Sequence, residues 1–324
     1  MNVDAQETLA DIRHVLQPAA PDAHRDDVAL AAFWLLQAEL LGLPEFGIRM
    51  LARDLARLDG ASGPHTPTAD DGAAIGSVDA SGVPGVVALA TAVRRAAQGV
   101  AAHGLAIVGI RGAGALGILG LAARALASRG AVALIAAQSP AAVAPWGAHA
   151  AAIGTNPLAV GAPRADGPPL VVDYATSALT LAAVREAAAK GESLPAGAAI
   201  DAEGAPASDP AAVAALLPSG LVGSLTGLVV ELLAGVAVGG RVTDPDLPST
   251  RGAVVIAFDP ARAGADDAAA AVSALDRDWR AAGGHLPARF DVLTAQASDL
   301  PAILDIPEDA VSWLRSRGEG VARP

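Results

Sequence analysis

The sequence predicts an α/β protein, a sheet flanked by helices, and three observations carry that prediction. From about residue 74 the chain alternates short apolar runs with Ala-rich helical stretches. Residues 5–58 at one end, and 262–283 and 307–318 at the other, read as helices, so a helical part is drawn from both termini. The 324 residues are 52% hydrophobic and 17% charged, which allows a large core and excludes a disordered chain. The expected division is residues 1–73 with 262–324 as the helical part and 74–261 as the α/β core.

Taken in order, Asp26 and Asp27 sit at the start of VALAAFWLLQAELLG, where acidic groups suit a helix N-terminus, and Gly42-Leu43-Pro44 stops that helix. DGASGPHTPTADDGA (59–73) reads as a loop. AIGSVD is a strand, GVVALATAVRRAAQGVAAHG a helix, LAIVGI a strand, ALGILGLAARALASRG a helix and AVALIAA a strand. The loop SPAAVAPWG, the segment GTNP, the strand PLVVDYA and a helix at 178–190 follow. A polar linker, GESLPAGAAIDAEGAPASDP, leads to an apolar helix around 224–237 and to the strand GAVVIAFDP.

Composition narrows the function. Net charge is −12 with a pI near 4.8, and the Lys and Arg residues form no cluster in sequence, which disfavours nucleic acid. Absence of cysteine excludes disulfides, thiolate chemistry and Cys-based zinc sites. MNVDAQETLADI lacks the layout of a signal peptide. The window 221–240 is the most membrane-like, but Glu231 and several Gly within it fit a buried helix better than a span. A cytoplasmic protein with no membrane or nucleic-acid partner is expected. No metal-ligand spacing is present, and the expected metal set is none.

Gly112, Gly114 and Gly117 in LAIVGIRGAGALGILG match G-x-G-x-x-G, between a strand and a helix. A dinucleotide-binding βαβ unit also needs an acidic residue about 20 positions on for the ribose. No Asp or Glu lies between Asp79 and Asp166, and the next strand ends at Gln138. Lys190, the only lysine, suits a helix C-terminus. His14 and His24 read as solvated, and His65 and His103 as structural or exposed. His285 lies in a Gly-Gly-His loop near Arg289.

Six stretches in order, SPAAVAPWG (139–147), IGTNPLAV (153–160), VVDYATS (171–177), AAAKGESLPAGAAIDAEG (187–204), VELLAGV (230–236) and VIAFDP (255–260), resemble the type-2 malate/L-lactate dehydrogenase family. Its relatives include ureidoglycolate, diketogulonate and piperideine-carboxylate oxidoreductases. The resemblance implies a non-Rossmann mixed sheet flanked by helices, NAD or NADP as cofactor, a homodimer and a small-molecule substrate. By the same resemblance Ser139, Asn156, Asp173, Tyr174, Ala175 and Gly223 are candidate cofactor contacts. His149 lies between two segments that approach the cofactor in relatives, and with Asp173 and Tyr174 it is a candidate catalytic group. Asp173 and Tyr174 each have a plain structural alternative: Asp173 capping the turn into the next helix, and Tyr174, the only tyrosine, packing.

Three family motifs have lost their polar groups here. The family's Arg-Asn-Ser-Asn-His-Phe-Gly falls on 111–117, which puts Ala115 at the His position. Its Ser-His-Gly falls on Glu45-Phe46-Gly47, with the following Arg at Met50 and Arg49 one place early. Its His-Lys-Gly-Tyr-Gly falls on 221–225, so Leu221 and Val222 stand for His and Lys. Phe46, Arg49, Ala115 and Leu221 are therefore the expected substrate pocket, more apolar than in relatives. An Ala or Phe cannot protonate the alkoxide that hydride transfer creates.

Three readings follow. The first is a divergent NAD(P)-dependent oxidoreductase acting on a bulky or imine/ketone substrate rather than malate or lactate. The second is the same scaffold without redox chemistry: a pseudoenzyme, a binding protein or a non-redox catalyst. The third is a true Rossmann dehydrogenase, with a pyrophosphate at the helix that follows Gly112.

Overall fold

The computed structural model describes residues 1–58, 73–242 and 250–319. The expected loop at 59–73, with His65, falls outside them apart from its last residue. The first helices are α1 (Ala5–Ala19), α2 (Arg25–Leu40) and α3 (Ile48–Leu58), with a 3-10 turn at Pro44–Phe46 before α3. The C-terminal helices are α8 (Ala268–Ala281) and α9 (Glu308–Glu319). Strand β1 (Asn2–Asp4) pairs antiparallel with β10 (Ile303–Asp305), which ties the two ends of the chain together.

The central sheet has six strands: β2 (Ile75–Asp79), β3 (Leu105–Ala113), β4 (Val132–Gln138), β5 (Leu158–Ala162), β6 (Leu170–Tyr174) and β9 (Arg251–Phe258). Their spatial order is β2-β3-β9-β4-β5-β6. Only β2 and β3 run parallel; every other pair in this sheet is antiparallel. β9 lies between β3 and β4, so the strands flanking the glycine motif are not neighbours. A dinucleotide-binding βαβ unit needs its strands in one parallel run, and this order overturns that reading.

Side-chain alternation divides the sheet cleanly. Ala106, Val108, Ile110, Ala133, Ile135, Ala253 and Val255 join the main core, with α4 (Gly85–His103) and α5 (Leu119–Ala127) against these strands. Residues of opposite parity, Ala136 and Val254 with Ile107 and Leu134, form a smaller cluster under Val230 and Ala234. Those two belong to α7 (Gly220–Val230) and to the π-helical segment Glu231–Val236 that prolongs it. Small side chains permit close approach: a Cβ on Gly161 of β5 would lie 2.6 Å from the Ala123 carbonyl oxygen of α5.

Most expected elements are present, with shifted bounds. The helix expected from Ala115 starts at Leu119, and the one expected over 178–190 is α6 (Leu181–Lys190). Strand β5, LAVGA, is absent from the expected elements, because Ala and Gly carry little strand signal. The short pair β7 (Ala199–Ile200) and β8 (Ala215–Leu216) was also missed, inside the polar linker and just beyond it. No described helix is long and apolar enough to cross a membrane.

Candidate active site

The antiparallel pairing brings the C-terminal ends of β3, β4 and β6 and the N-terminal ends of β5 and β9 to one edge of the sheet. A cavity of about 510 Å³ opens there. Its far wall is α3, which presents Met50, Arg53, Asp54 and Arg57, a helical i, i+3, i+4, i+7 stripe. Phe46 comes from the preceding 3-10 turn and Ala115 to Leu119 from the glycine segment. The strand ends supply Ser139, Asp173, Tyr174, Ala175 and Arg251, and the start of α6 supplies Arg185.

The glycine segment is a turn held by a carboxylate. Asp54 Oδ2 accepts the Gly85 N–H at 2.8 Å and Oδ1 accepts the Ala115 N–H at 3.3 Å, while Arg57 Nε donates to Oδ1 at 2.9 Å. A Cβ on Gly114 would lie 1.7 Å from Asp54 Oδ1, so this glycine makes room for the anchor. Gly112 and Gly117 have φ of +70° and +85°, which carries the chain through a left-handed turn into α5. At the N-terminus of α5, a carboxylate of the protein itself already takes one of the free N–H groups. The Gly120 N–H donates to Asp173 Oδ2 at 2.9 Å.

Asp173 is the most perturbed acid at the cavity. Burial lifts its carboxyl from an ordinary 3.8 to about 6, against the opposing effects of the Gly120 hydrogen bond and the nearby Arg289 charge. Helix dipole and arginine both favour the anion, yet the rise persists, so desolvation wins. The carboxyl therefore changes protonation state near neutral pH.

Ser139 also lines the cavity, and its Oγ is buried with no hydrogen-bond partner among the described residues. A buried hydroxyl left unpaired costs roughly 1–3 kcal/mol. Such an atom beside an open cavity suits a bound polar group, and in that respect the residues present fit a nicotinamide carboxamide or ribose.

Phe46, Ala115, Ser139, Asp173, Tyr174 and Ala175 are thus brought together around one cavity. The other singled-out residues lie elsewhere. Asn156, fully buried at φ +38°, accepts the Ser139 N–H at 3.2 Å and donates to Gly227 O and Glu231 Oε2. It ties the end of β4 to α7. Gly223 packs against the Thr176 carbonyl. Arg49 makes a bidentate pair with Asp309 of α9, at 2.8 and 2.7 Å. His149 is exposed, beside Gly204. Leu221 is 52% exposed on α7.

Beside apolar Phe46, Ala115 and Met50 the cavity carries a set of arginines, while the expected Arg49 and Leu221 do not line it. Arg53, Arg57, Arg185, Arg251 and Arg289 all line it, facing only Glu45, Asp54 and Asp173. Glu45 holds Arg53 at 3.0 Å and Arg185 at 3.2 Å. These arginines come from four separate stretches of chain. No spacing in the sequence marks them as a set, although Arg53 and Arg57 share the i, i+4 stripe of α3. Among the described residues no three His, Asp or Glu groups gather as a metal site.

Fold and cavity together define an α/β protein with an arginine-lined cavity at one end of its sheet. Residues 4–289 match the malate/L-lactate dehydrogenase family, and the chain belongs to it. It is 40% identical over 184 residues to a Delta(1)-pyrroline-2-carboxylate/Delta(1)-piperideine-2-carboxylate reductase of Pseudomonas syringae pv. tomato, covering 55% of this chain and 54% of that protein. It is 34% identical over 186 residues to a (2R)-3-sulfolactate dehydrogenase (NADP(+)) of Chromohalobacter salexigens, covering 54% of this chain and 56% of that protein. The matched sequence spans about half the length of these curated relatives. The solved delta1-piperideine-2-carboxylate reductase of Pseudomonas syringae pvar. tomato superimposes with a TM-score of 0.80 at 29% identity, over 98% of this chain and 99% of that one. A dehydrogenase from Sinorhizobium meliloti gives 0.78 at 30% identity, over 98% of each chain.

Proposed function

We propose that the protein is a cytoplasmic NAD(P)-dependent oxidoreductase that reduces a small anionic 2-imino or 2-oxo acid, with Asp173 as its proton donor. The observation that carries this reading is the Asp173 carboxyl, lifted to about 6 at the cavity wall. When bound, a reduced nicotinamide supplies the hydride to the carbon of the C=N or C=O bond. The matching proton must reach the nitrogen or oxygen, and the family resemblance puts Phe46 and Ala115, which carry no such proton, where relatives have His. Asp173, neutral in about a tenth of molecules at pH 7, is placed to give that proton. An imine is protonated more readily than a ketone and asks less of the acid, in keeping with the imine reductases among the relatives.

Arg289, whose charge acts on Asp173, is placed to hold the substrate carboxylate. Ser139 Oγ, Tyr174 and Ala175 line the part of the cavity assigned to the cofactor. The bent glycine turn and Phe46 also line the cavity. A second copy of this chain is the occupant proposed for the apolar stripe Leu221, Leu225, Leu228, Leu232 and Val236. These are each 49–60% exposed at helical spacing, and the family resemblance implies a homodimer.

The test is thermal unfolding with NAD, NADP, NADH and NADPH in turn, followed by oxidation of the effective reduced form with Delta(1)-piperideine-2-carboxylate and pyruvate. Ligand at about 100 times its dissociation constant stabilises the native state by about 2.7 kcal/mol. A shift with one nicotinamide and faster turnover of the imine are expected. No shift with any of the four at millimolar concentration sinks the redox reading and leaves the scaffold without its cofactor.

A further inference from the structure

The Asp173 carboxyl meets an aromatic ring from more than a hundred positions further along the chain. The meeting point is Gly120, the second residue of α5. A Cβ there would lie 2.2 Å from Phe290 Cζ and 2.8 Å from Asp173 Oδ2, so ring and carboxylate share the space that this glycine leaves open. Phe290 is buried and stands behind the cavity, not among its lining residues. It belongs to an irregular segment, 289–294, shaped by turn hydrogen bonds from Asp291 N–H to Ala288 O and from Leu293 N–H to Phe290 O. Further carbonyls of the segment are taken by side chains from two helices. Arg124, buried one turn beyond Gly120 on α5, donates Nη2 to Leu293 O at 2.8 Å and Nη1 to Thr294 O at 3.2 Å. Gln37 Nε2 of α2 donates to Thr294 O at 3.1 Å, and Arg164 holds Asp291 at 3.0 Å. The charged groups nearby do not account for a carboxyl that keeps its proton. Arg289 favours the anion, and Arg185 and Arg251 line the same cavity. Tyr174 is next on β6, Arg124 faces the carbonyls, and β5 places uncharged Ala159 opposite. Desolvation outweighs the attraction of Arg289.

We propose that Phe290 is a positioning residue for Asp173: its ring keeps water from the carboxyl, and Arg124 keeps the ring in place by holding the Leu293 and Thr294 carbonyls. Neither Phe290 nor Arg124 is among the residues lining the cavity, so both act through Asp173 and not on substrate. An apolar ring against a carboxyl penalises the charged form and preserves the acid that can donate a proton. Arg289 and Phe290, neighbours in the chain, thus act in opposite senses on one group. Asp173 as the donor rests on the reductase reading; the drying of its carboxyl does not.

The experiment is an NMR titration of the Asp173 carboxyl in the full chain, labelled at its aspartate carboxyls, with the resonance identified by its loss in D173N. Native protein, F290A, F290L and R124Q are compared, and kcat/KM for Delta(1)-piperideine-2-carboxylate is followed over the same pH range. The native midpoint is expected at about 6. F290A lets water reach the carboxyl and lowers the midpoint by about one pH unit or more. F290L keeps an apolar side chain over Gly120 and retains most of the native value. R124Q releases the carbonyls and lowers it part way; it changes no cavity residue and reports if F290A fails to fold. The kcat/KM limb moves with the midpoint, so F290A loses about tenfold at pH 7 and recovers to within about twofold of native at pH 5, whereas damage to the fold lowers activity at every pH. A native midpoint near 4, an unchanged midpoint in F290A, or a fall in F290L equal to that in F290A overturns the assignment. An unchanged midpoint in R124Q overturns the role of Arg124. A midpoint that moves in F290A with an unmoved kcat/KM limb, or with no turnover at all, upholds the action of the ring on Asp173 and fails only the reductase reading.

Discussion

Asp173→Asn separates the catalytic from the structural meaning of this half-buried carboxyl. The amide oxygen still accepts the Gly120 N–H, so the start of α5 keeps its partner. What disappears is a group whose carboxyl shifts from 3.8 to about 6 on folding. At 1.36 kcal/mol per unit, that shift is about 3 kcal/mol. Between those two values the native state binds more protons than the unfolded chain. Asp173 therefore contributes stability in full below pH 4, and that contribution is lost as pH rises through 6. Urea unfolding at several pH values from 4 to 7.5 should show the native protein losing about 3 kcal/mol more than the Asn variant. In the reduction assay, native kcat/KM should fall above about pH 6 by about tenfold per unit, and the variant should lose about 10²–10⁴-fold with no such limb. A variant within threefold of native activity, or one with the same stability slope, refutes the reasoning.

Ser139→Ala removes an unpaired buried hydroxyl, so it should leave stability equal or raised while weakening the nicotinamide about fivefold, near 1 kcal/mol, by calorimetry. A loss of stability with unchanged cofactor affinity would mean that the hydroxyl serves the fold. Gly114→Ala drives a Cβ into the Asp54 carboxylate and should cost roughly 2–4 kcal/mol in denaturant unfolding, because the anchor of Gly85 and Ala115 is displaced. A near-neutral result would show that Asp54 does not hold the turn. Leu225→Asp places a charge on the apolar stripe of α7 and should convert a sedimenting dimer to monomer with little change in helicity. Native protein that sediments as a monomer removes the homodimer proposal.

Much of the architecture is legible in one dimension. The strand–helix–strand rhythm from residue 74, the helical ends and the stops at Gly42 and Gly104 depend on side-chain periodicity and on backbone freedom, both local properties. The segments GTNP and DYATS pointed to the end of the sheet where Ser139, Asp173 and Tyr174 meet. The family resemblance implied, beyond any spacing, that Phe46, Ala115 and Leu221 stand where relatives carry polar groups. Strand order was not legible, because antiparallel insertion of β9 between β3 and β4 joins residues more than a hundred positions apart.

The letters G-x-G-x-x-G are determined by sequence, but what they do is settled by Asp54 and Asp173, both distant in the chain, which take the N–H groups of the turn and helix start. The cationic character of the cavity is likewise a tertiary property. The overall charge of −12 gives no hint of five arginines around one space, since net charge sums over the chain and the field in a cavity depends on distance. Residue identity determined that Phe46 and Ala115 have no proton to give; only folding decided that a half-buried aspartate, far from both in sequence, stands at the wall of the same cavity.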